Sequence, residues 1–281
     1  MSKRKTKRTI RLTLTNLFFI IVCIACLIPI LYAFSVSLNS GNNFLSSSFF
    51  FIPKQFTLNN YKTILFDRPF FVWLKNSVLL ALFTVIAALG VGVPAAYAFS
   101  RQRFKGRKSL LYILLLLNAF PSILSMFALY RLLKPMGLIN SYTGLILIYT
   151  GTMTIFSLWN MKGYFDTIPE EIEEAGKIDG ANDFQIITKI VLPLARPTII
   201  VTAVMVLIFV WNEYIFAINF MTGAEKYTLA VGLYSLQATD YTRNWPLFSA
   251  ASLLASIPTL FIFYLIQKQM TSGLTAGGVK G

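Results

Sequence analysis

The chain contains no histidine, which excludes imidazole as a proton shuttle or metal ligand. It has two cysteines, Cys23 and Cys26, both inside one apolar run, too few for a disulfide framework or a thiolate metal site. No GxxxxGK[ST] phosphate loop occurs. The glycines near the end, Gly273, Gly277, Gly278 and Gly281, have the wrong spacing and no strand before them. Charge is scarce too: 13% of the 281 residues are Asp, Glu, Lys or Arg, about half the share of a soluble domain. Carboxylates are the scarcest, 11 against 25 Lys and Arg. With no acid–base cluster and no phosphate loop, the chain is expected not to be an enzyme, to hold no metal and to hydrolyse no ATP itself.

What fills the chain is uninterrupted apolar sequence. Leu12–Pro53, Asn76–Ser100, Ser109–Tyr130, Pro135–Met161 and Asn244–Gln267 carry no charge, and Pro197–Met221 carries one, Glu213. A bilayer-crossing helix needs roughly 20 mainly apolar residues, and backbone in lipid is satisfied only within helices or closed barrels. The pattern predicts an all-α integral membrane protein with six transmembrane helices, over about 14–38, 73–99, 109–132, 142–161, 197–221 and 246–267. The first run exceeds the roughly 7–15 residues of a signal-peptide core and reads as a retained anchor.

The cations cluster at the ends of these runs. Six precede the first (Lys3, Arg4, Lys5, Lys7, Arg8, Arg11), and five join the second to the third (Arg101, Arg103, Lys105, Arg107, Lys108). Lys162, Lys177, Lys189 and Arg196 join the fourth to the fifth, and Lys268 and Lys280 follow the last. Seventeen thus lie on one side against eight on the other, which predicts that both termini are cytoplasmic. This accounts for the net charge of +14 without nucleic acid as a partner. Ion-coupled carriers keep several ionisable groups at membrane depth. Glu213 alone, near the outer end of its span, fits a passive pore or an externally powered permease better than an ion-coupled carrier; a self-sufficient secondary carrier or facilitator of small polar solutes is the rival reading.

Seven of the eleven carboxylates crowd between Asn160 and Pro197: Asp166, Glu170, Glu171, Glu173, Glu174, Asp179 and Asp183. Pro169 suits the first turn of a helix, and the glutamates after it favour the positive end of the helix dipole. Gly180 then breaks the helix, and Asn182 or Asp183 can cap a second one. That helix carries Phe184, Ile187 and Val191 and is expected to stop at Leu192–Pro193. Ala175, Gly176, Gly180 and Ala181 at the bend let another protein approach the backbone. Most charge runs are solvated linkers, but the ordered placement of breaker and cap favours a docking element.

Glu174-Ala175-Gly176, Asp179-Gly180-Ala181 and Ile190-Val191-Leu192-Pro193 resemble the EAA loop of ABC-transporter permeases. Gly176 stands where that loop has its second alanine, a change costing about 1 kcal/mol in a helix interior. Ala96-Tyr97-Ala98-Phe99-Ser100-Arg101 with Arg103-Phe104-Lys105-Gly106 resembles the second-span exit of the family's sugar permeases, and Phe120-Pro121-Ser122, Ala128-Leu129-Tyr130 and Lys162-Gly163-Tyr164-Phe165 are similar to the maltose/maltodextrin branch. Tyr227-Thr228-Leu229-Ala230-Val231-Gly232 and the ending Gly273–Gly281 belong with them. The likeness covers most of the chain and is weakest in the N-terminal tail and first outer loop.

The resemblance implies the type I ABC importer permease fold and alternating access driven by partner ATPases, in a bacterial cell membrane. The organisation it implies is a basic cytoplasmic tail (1–13), a first span with an outer loop (14–72), a core of five spans (73–267) with the EAA loop at about 162–196, and a cytoplasmic tail (268–281). Glu174, Ala175, Gly176, Asp179, Gly180, Ala181, Ile190, Leu192 and Pro193 would couple to the ATPase. Leu274, Gly277, Gly278 and Lys280 in the tail would touch it. Tyr227, Thr228, Tyr234 and Tyr241, in the outward loop Thr222–Trp245, would meet a sugar-binding protein. Asn118, Ser122, Asn212 and Glu213 would line the route, although interhelical hydrogen bonding is the commoner role for such residues. The implied partners are a second permease forming a heterodimer, two ATP-hydrolysing subunits, an extracytoplasmic sugar-binding protein and membrane lipid. The chain binds no cofactor on this reading, since the ATP is used by its partners. The motifs leave the sugar open: maltose or maltodextrin leads, with raffinose, cyclodextrin, galactooligosaccharide and glycerol-phosphate importers having similar subunits.

Overall fold

The computed structural model describes residues 2–40, 56–237 and 244–276. These are helical, with no strand among the described residues beyond an isolated bridge between Asn39 and Phe56. The long helices are α1 (Ser2–Ser37), α2 (Phe70–Arg101), α3 (Arg107–Ala119), α4 (Ser122–Leu133) and α5 (Tyr142–Phe165). After the short α6 (Glu170–Ile178) come α7 (Asp183–Asn212), α8 (Ile215–Phe220), α9 (Leu229–Ser235) and α10 (Trp245–Ala276). Among the described residues, five helices are long and apolar enough to cross a membrane, or six if α3 and α4 count as one bent span.

Two expected spans are corrected. The run over 109–132 does not form one rod, because α3 and α4 meet at 100°. Pro121 disfavours helical backbone at the residue before it, and Phe120 is extended at φ −70° and ψ 133°. The span expected over 197–221 ends at Asn212, and Leu192–Pro193 does not stop the preceding helix. A π-turn over Ile186–Val191 leads into Leu192 and Pro193 without a break. Proline removes one hydrogen bond and crowds the turn before it. The widened turn makes room, while Ile186, Val191 and Ala195 anchor the helix in the core.

The chain divides into two compact units, 1–69 with 233–256, and 70–232 with 257–281. In the first, the apolar side chains of α1 from Ile10 to Phe34 are largely exposed, as a lipid-facing helix requires. Its end is tied down: the Asn60 amide donates to the carbonyls of Ser37 and Asn39, each at 2.9 Å, and the Ser37 and Tyr61 hydroxyls are 2.7 Å apart.

The second unit is built on α2, α5 and α7. Thr84, Ala88, Gly92, Ala96 and Ser100 recur every four residues on the buried face of α2, a small-residue ridge that lets membrane helices approach closely. At Gly92 a Cβ would lie 2.8 Å from the Ser157 Cβ of α5. The Asn160 amide of α5 reaches the Thr202 hydroxyl of α7 at 2.6 Å. One core cluster gathers Leu80, Tyr149, Val210, Phe216 and Phe220, and another gathers Ala96, Met161, Phe165, Ile186 and Val191.

Candidate functional site

The acidic segment folds as a bent pair. Pro169 directly precedes α6, and Glu170, Glu171 and Glu173 occupy its first turn, where they complement the helix dipole. At its end the Ala181 amide bonds the Gly176 carbonyl and the Gly180 amide bonds the Lys177 carbonyl, each at 3.0 Å. This is a Schellman closure, which needs a left-handed residue just past the helix; Gly180 supplies it at φ +84°. Asn182 then starts α7 with a capping box, accepting from the Gln185 amide at 2.9 Å while its own amide reaches Gln185 Oε1 at 3.0 Å.

Of the predicted coupling residues, Glu174, Ala175, Asp179, Gly180 and Pro193 are exposed, and Ala181, Ile190 and Leu192 are half-buried. Gly176 is not part of an open small-residue surface as expected. It is buried, and a Cβ there would sit 2.7 Å from Ile190 Cδ1. Its smallness therefore closes the angle between α6 and α7. Two apolar side chains stand out from the bend instead, Ile178 at 87% and Phe184 at 74% exposure.

Glu173, which the motif reading passed over, holds the pair to the bundle. Its Oε2 accepts from the Tyr97 hydroxyl at 2.7 Å, and its Oε1 pairs with Arg101 Nε at 2.6 Å. Both charged side chains are about nine-tenths buried, 11% exposed for Arg101 and 10% for Glu173. Arg101 Nη2 also donates to the Ile168 carbonyl at 2.8 Å, and Tyr97 meets Phe165 edge-on. Beside this clasp the Ser100 hydroxyl donates to Asp166 Oδ1 at 2.7 Å, and Lys162 pairs with Asp166 Oδ2 at 2.6 Å. The last two turns of α2 are thus bolted to α6 and to the end of α5. A cavity of about 480 Å³ opens next to the clasp, lined by Tyr97, Arg101, Glu170, Glu173, Glu174 and Lys177 among others.

At the far end of α2 the loop after α8 is fastened as firmly. Trp73 Nε1 donates to the Ala224 carbonyl at 3.0 Å, and the Asn76 amide to the carbonyls of Glu225 and Tyr227, each at 2.9 Å. The Leu229 amide donates to the Ser77 hydroxyl at 2.8 Å, and Lys226 Nζ to the Asn140 carbonyl at 2.9 Å. Tyr227 is half-buried and Tyr234 is exposed. Thr228 is buried, its hydroxyl accepting from the Val231 amide at 3.3 Å at the start of α9, so it shapes the loop and offers no outer surface.

The route candidates scatter. Asn118 is exposed near the end of α3, and Asn212 is exposed with its amide returned to the Ile208 carbonyl at 2.8 Å. Glu213 is half-buried and accepts from the Tyr149 hydroxyl and from the amides of Phe216, at 2.8 Å, and Ala217, at 3.1 Å. It caps α8, and this capture of backbone donors is why α7 ends where it does. Ser122 and Leu274 are described in backbone alone, and Tyr241, Gly277, Gly278 and Lys280 lie outside the described residues.

Residues 88–275 match the family described as binding-protein-dependent transport system inner membrane component. The chain belongs to that family. It is 37% identical to the galactooligosaccharides transport system permease protein GanQ of Bacillus subtilis, over 100% of each chain. It is 34% identical to the maltose/maltodextrin transport system permease protein MalG of Escherichia coli, over 96% of each. A crystal structure of a bacterial ABC transporter involved in alginate import aligns with a TM-score of 0.76 and 26% identity, over 92% of this chain and 96% of that one. This permease is therefore a multi-pass membrane protein with the fold of ABC importer permeases.

Two expectations follow for the permease's bent pair. Gly180→Val forces a β-branched residue into left-handed backbone, where even an ordinary side chain costs about 1–2 kcal/mol. Gly180→Asn should retain most of the stability, since asparagine tolerates that region. Thermal unfolding of the purified protein compares the two. Asp166 supplies a pH dependence. Burial would raise its carboxyl, but hydrogen bonds from Lys162 and Ser100 and the charges of Lys162 and Arg107 outweigh it and hold the group below its ordinary value of 3.8. A carboxyl whose folded value is depressed adds stability above the unfolded value, and that stability is lost as pH falls through the folded one. Acidification below about pH 4 should therefore cost wild type more thermal stability than Asp166→Asn.

Proposed function

We propose that this permease carries an oligosaccharide, of the maltose/maltodextrin type, inward across the bacterial cell membrane by alternating access. It acts as one of two unlike permease subunits, receives the sugar from an extracytoplasmic binding protein and is driven by two ATPases. It holds no cofactor and performs no covalent step; ATP is consumed by the partners. The lysine and arginine bias supports cytoplasmic termini and a cytoplasmic acidic loop. On that side Ile178, Phe184, Glu174, Ala175 and Asp179 present themselves to the ATPase, with Leu274, Gly277, Gly278 and Lys280 as further contacts. Tyr227, Tyr234 and Tyr241 face the binding protein. Asn118, Ser122, Asn212 and Glu213 remain proposed for the route, and of these Glu213 acts by fixing the break between α7 and α8.

The observation that carries the reading is the Tyr97–Glu173–Arg101 clasp. Held by this clasp, α6 moves with α2 and α5 and, through the bend, with the start of the spanning helix α7, so its displacement by a closing partner tilts the spans. The names of the relatives support an oligosaccharide cargo. The test is ATP hydrolysis by the complex reconstituted in vesicles, with the cognate binding protein loaded with maltose, a longer maltodextrin or a galactooligosaccharide. Maltodextrins should stimulate hydrolysis several-fold. Stimulation by the galactooligosaccharide alone would change the cargo, while uptake into vesicles lacking the ATPase would replace the importer by a self-sufficient carrier.

A further inference from the structure

The link between α2 and α3 forms a pocket that the transport reading does not use. It is an open hollow of about 600 Å³, lined by Arg103, Arg107, Lys108 and Lys162 together with Phe104 and Leu111. Three of the cations come from the link and the start of α3, whereas Lys162 is delivered by α5, so the cluster is made by tertiary packing and not by a run of basic sequence. The link is pre-shaped. Phe104 packs edge-on against Phe99, with ring centroids 5.3 Å apart, Arg107 Nη1 holds the Gln102 carbonyl at 3.2 Å, and Gly106 turns the chain at φ +84°.

The charge in the pocket is poorly compensated. Lys162 is paired with Asp166, and Arg107 spends one donor on a backbone carbonyl. Arg103 and Lys108 have no partner among the described residues. The other carboxylates of the acidic segment lie on α6, just past its end at Asp179, and at the start of α7 and do not line this hollow. Convergent arginines and lysines beside an apolar floor suit an anion that is itself joined to an apolar body. The hollow lies where two apolar helices, α2 and α3, end and begin, the depth at which lipid headgroups meet a membrane protein.

We propose that this pocket seats the phosphate of an anionic phospholipid, with Phe104 and Leu111 against the start of its acyl chains. Basic pockets between membrane helices bind acidic headgroups by the same charge-assisted hydrogen bonding. The lipid would brace the link against the clasped end of α2. The inference stands on membrane embedding alone and does not depend on the cargo.

Native mass spectrometry of the delipidated transporter complex tests it, with phosphatidylglycerol and phosphatidylcholine titrated separately. The double variant Arg103→Gln/Lys108→Gln removes the two cations that have no internal partner, so folding is preserved. Lys105→Gln/Lys189→Gln removes the same charge from exposed positions outside the pocket. Wild type and the second variant should retain phosphatidylglycerol several-fold better than phosphatidylcholine, and the first variant should lose that preference. Equal lipid retention by the two variants overturns the proposal in favour of a diffuse positive field. Inorganic phosphate binding as tightly as the lipid overturns the lipid assignment in favour of a free-anion site.

Discussion

Glu173→Ala is expected to lower the thermal stability of the permease and to cut sugar uptake by an order of magnitude or more, while the complex with its ATPases still forms. Assembly survives because Glu173 is buried against α2 and is not presented to a partner. The stability loss follows from what remains. Arg101 keeps its bonds to the Ile168 carbonyl and, at 3.4 Å, to the Ser100 hydroxyl but loses its counter-charge in a site that is nine-tenths buried, a change worth about 3–5 kcal/mol. Uptake falls because α6 can then slide on its Gly176–Ile190 contact without carrying α2 along. The diagnostic comparison is Glu173→Ala with Arg101→Met added. Removing the stranded guanidinium should return much of the stability, since replacing both members of a buried pair is often neutral, but it does not restore the directional bonds to Tyr97 and Arg101. Recovery of stability without uptake is the expected pattern. Unchanged uptake in Glu173→Ala would mean that packing alone couples the helix pair to the spans.

Gly232→Val should act at the opposite end of α2. From Trp73 to Arg101 the helix rises roughly 42 Å at 1.5 Å per residue, so the two perturbations are independent. At Gly232 even a Cβ would run into the indole of Trp73, and that ring is fixed by its bond to the Ala224 carbonyl. A rigid ring gives way less than the tip of a flexible chain, so the added bulk moves the loop off α2. Such overpacking costs about 1–3 kcal/mol, and it disturbs the Asn76 and Ser77 bonds that hold Glu225, Tyr227 and Leu229. The expected phenotype is loss of stimulation by the sugar-loaded binding protein, with basal hydrolysis by the complex retained. Copurification of binding protein with Gly232→Val at wild-type level would remove the loop from the docking surface.

The contrast between these two sites bears on what a sequence discloses. The Tyr227–Gly232 motif was visible as a resemblance, but its physical reason, an indole lying across Gly232, joins residues about 160 positions apart and has no local trace. The four-residue spacing of Thr84, Ala88, Gly92, Ala96 and Ser100 was different. It is a periodicity between neighbours along one helix, and the structure buries it as a small-residue face against α5.

Amino-acid order alone determined the properties that depend on neighbours along the chain. The apolar runs set the number of helices that suit a bilayer, the cations at their ends set the predicted sidedness, and Gly180 with Asn182 set the bend, because hydropathy, charge and capping are local. The tertiary structure decided which glutamate is the fastener and which is presented. Glu173 and Glu174 are adjacent and chemically identical, yet only the first is buried with Tyr97 and Arg101. It also decided that Gly176 closes an internal angle, and that the run at 109–132 bends by 100° between α3 and α4. A helix displays every side chain somewhere around its axis; only the packing of other helices selects which of them is shielded from water and paired.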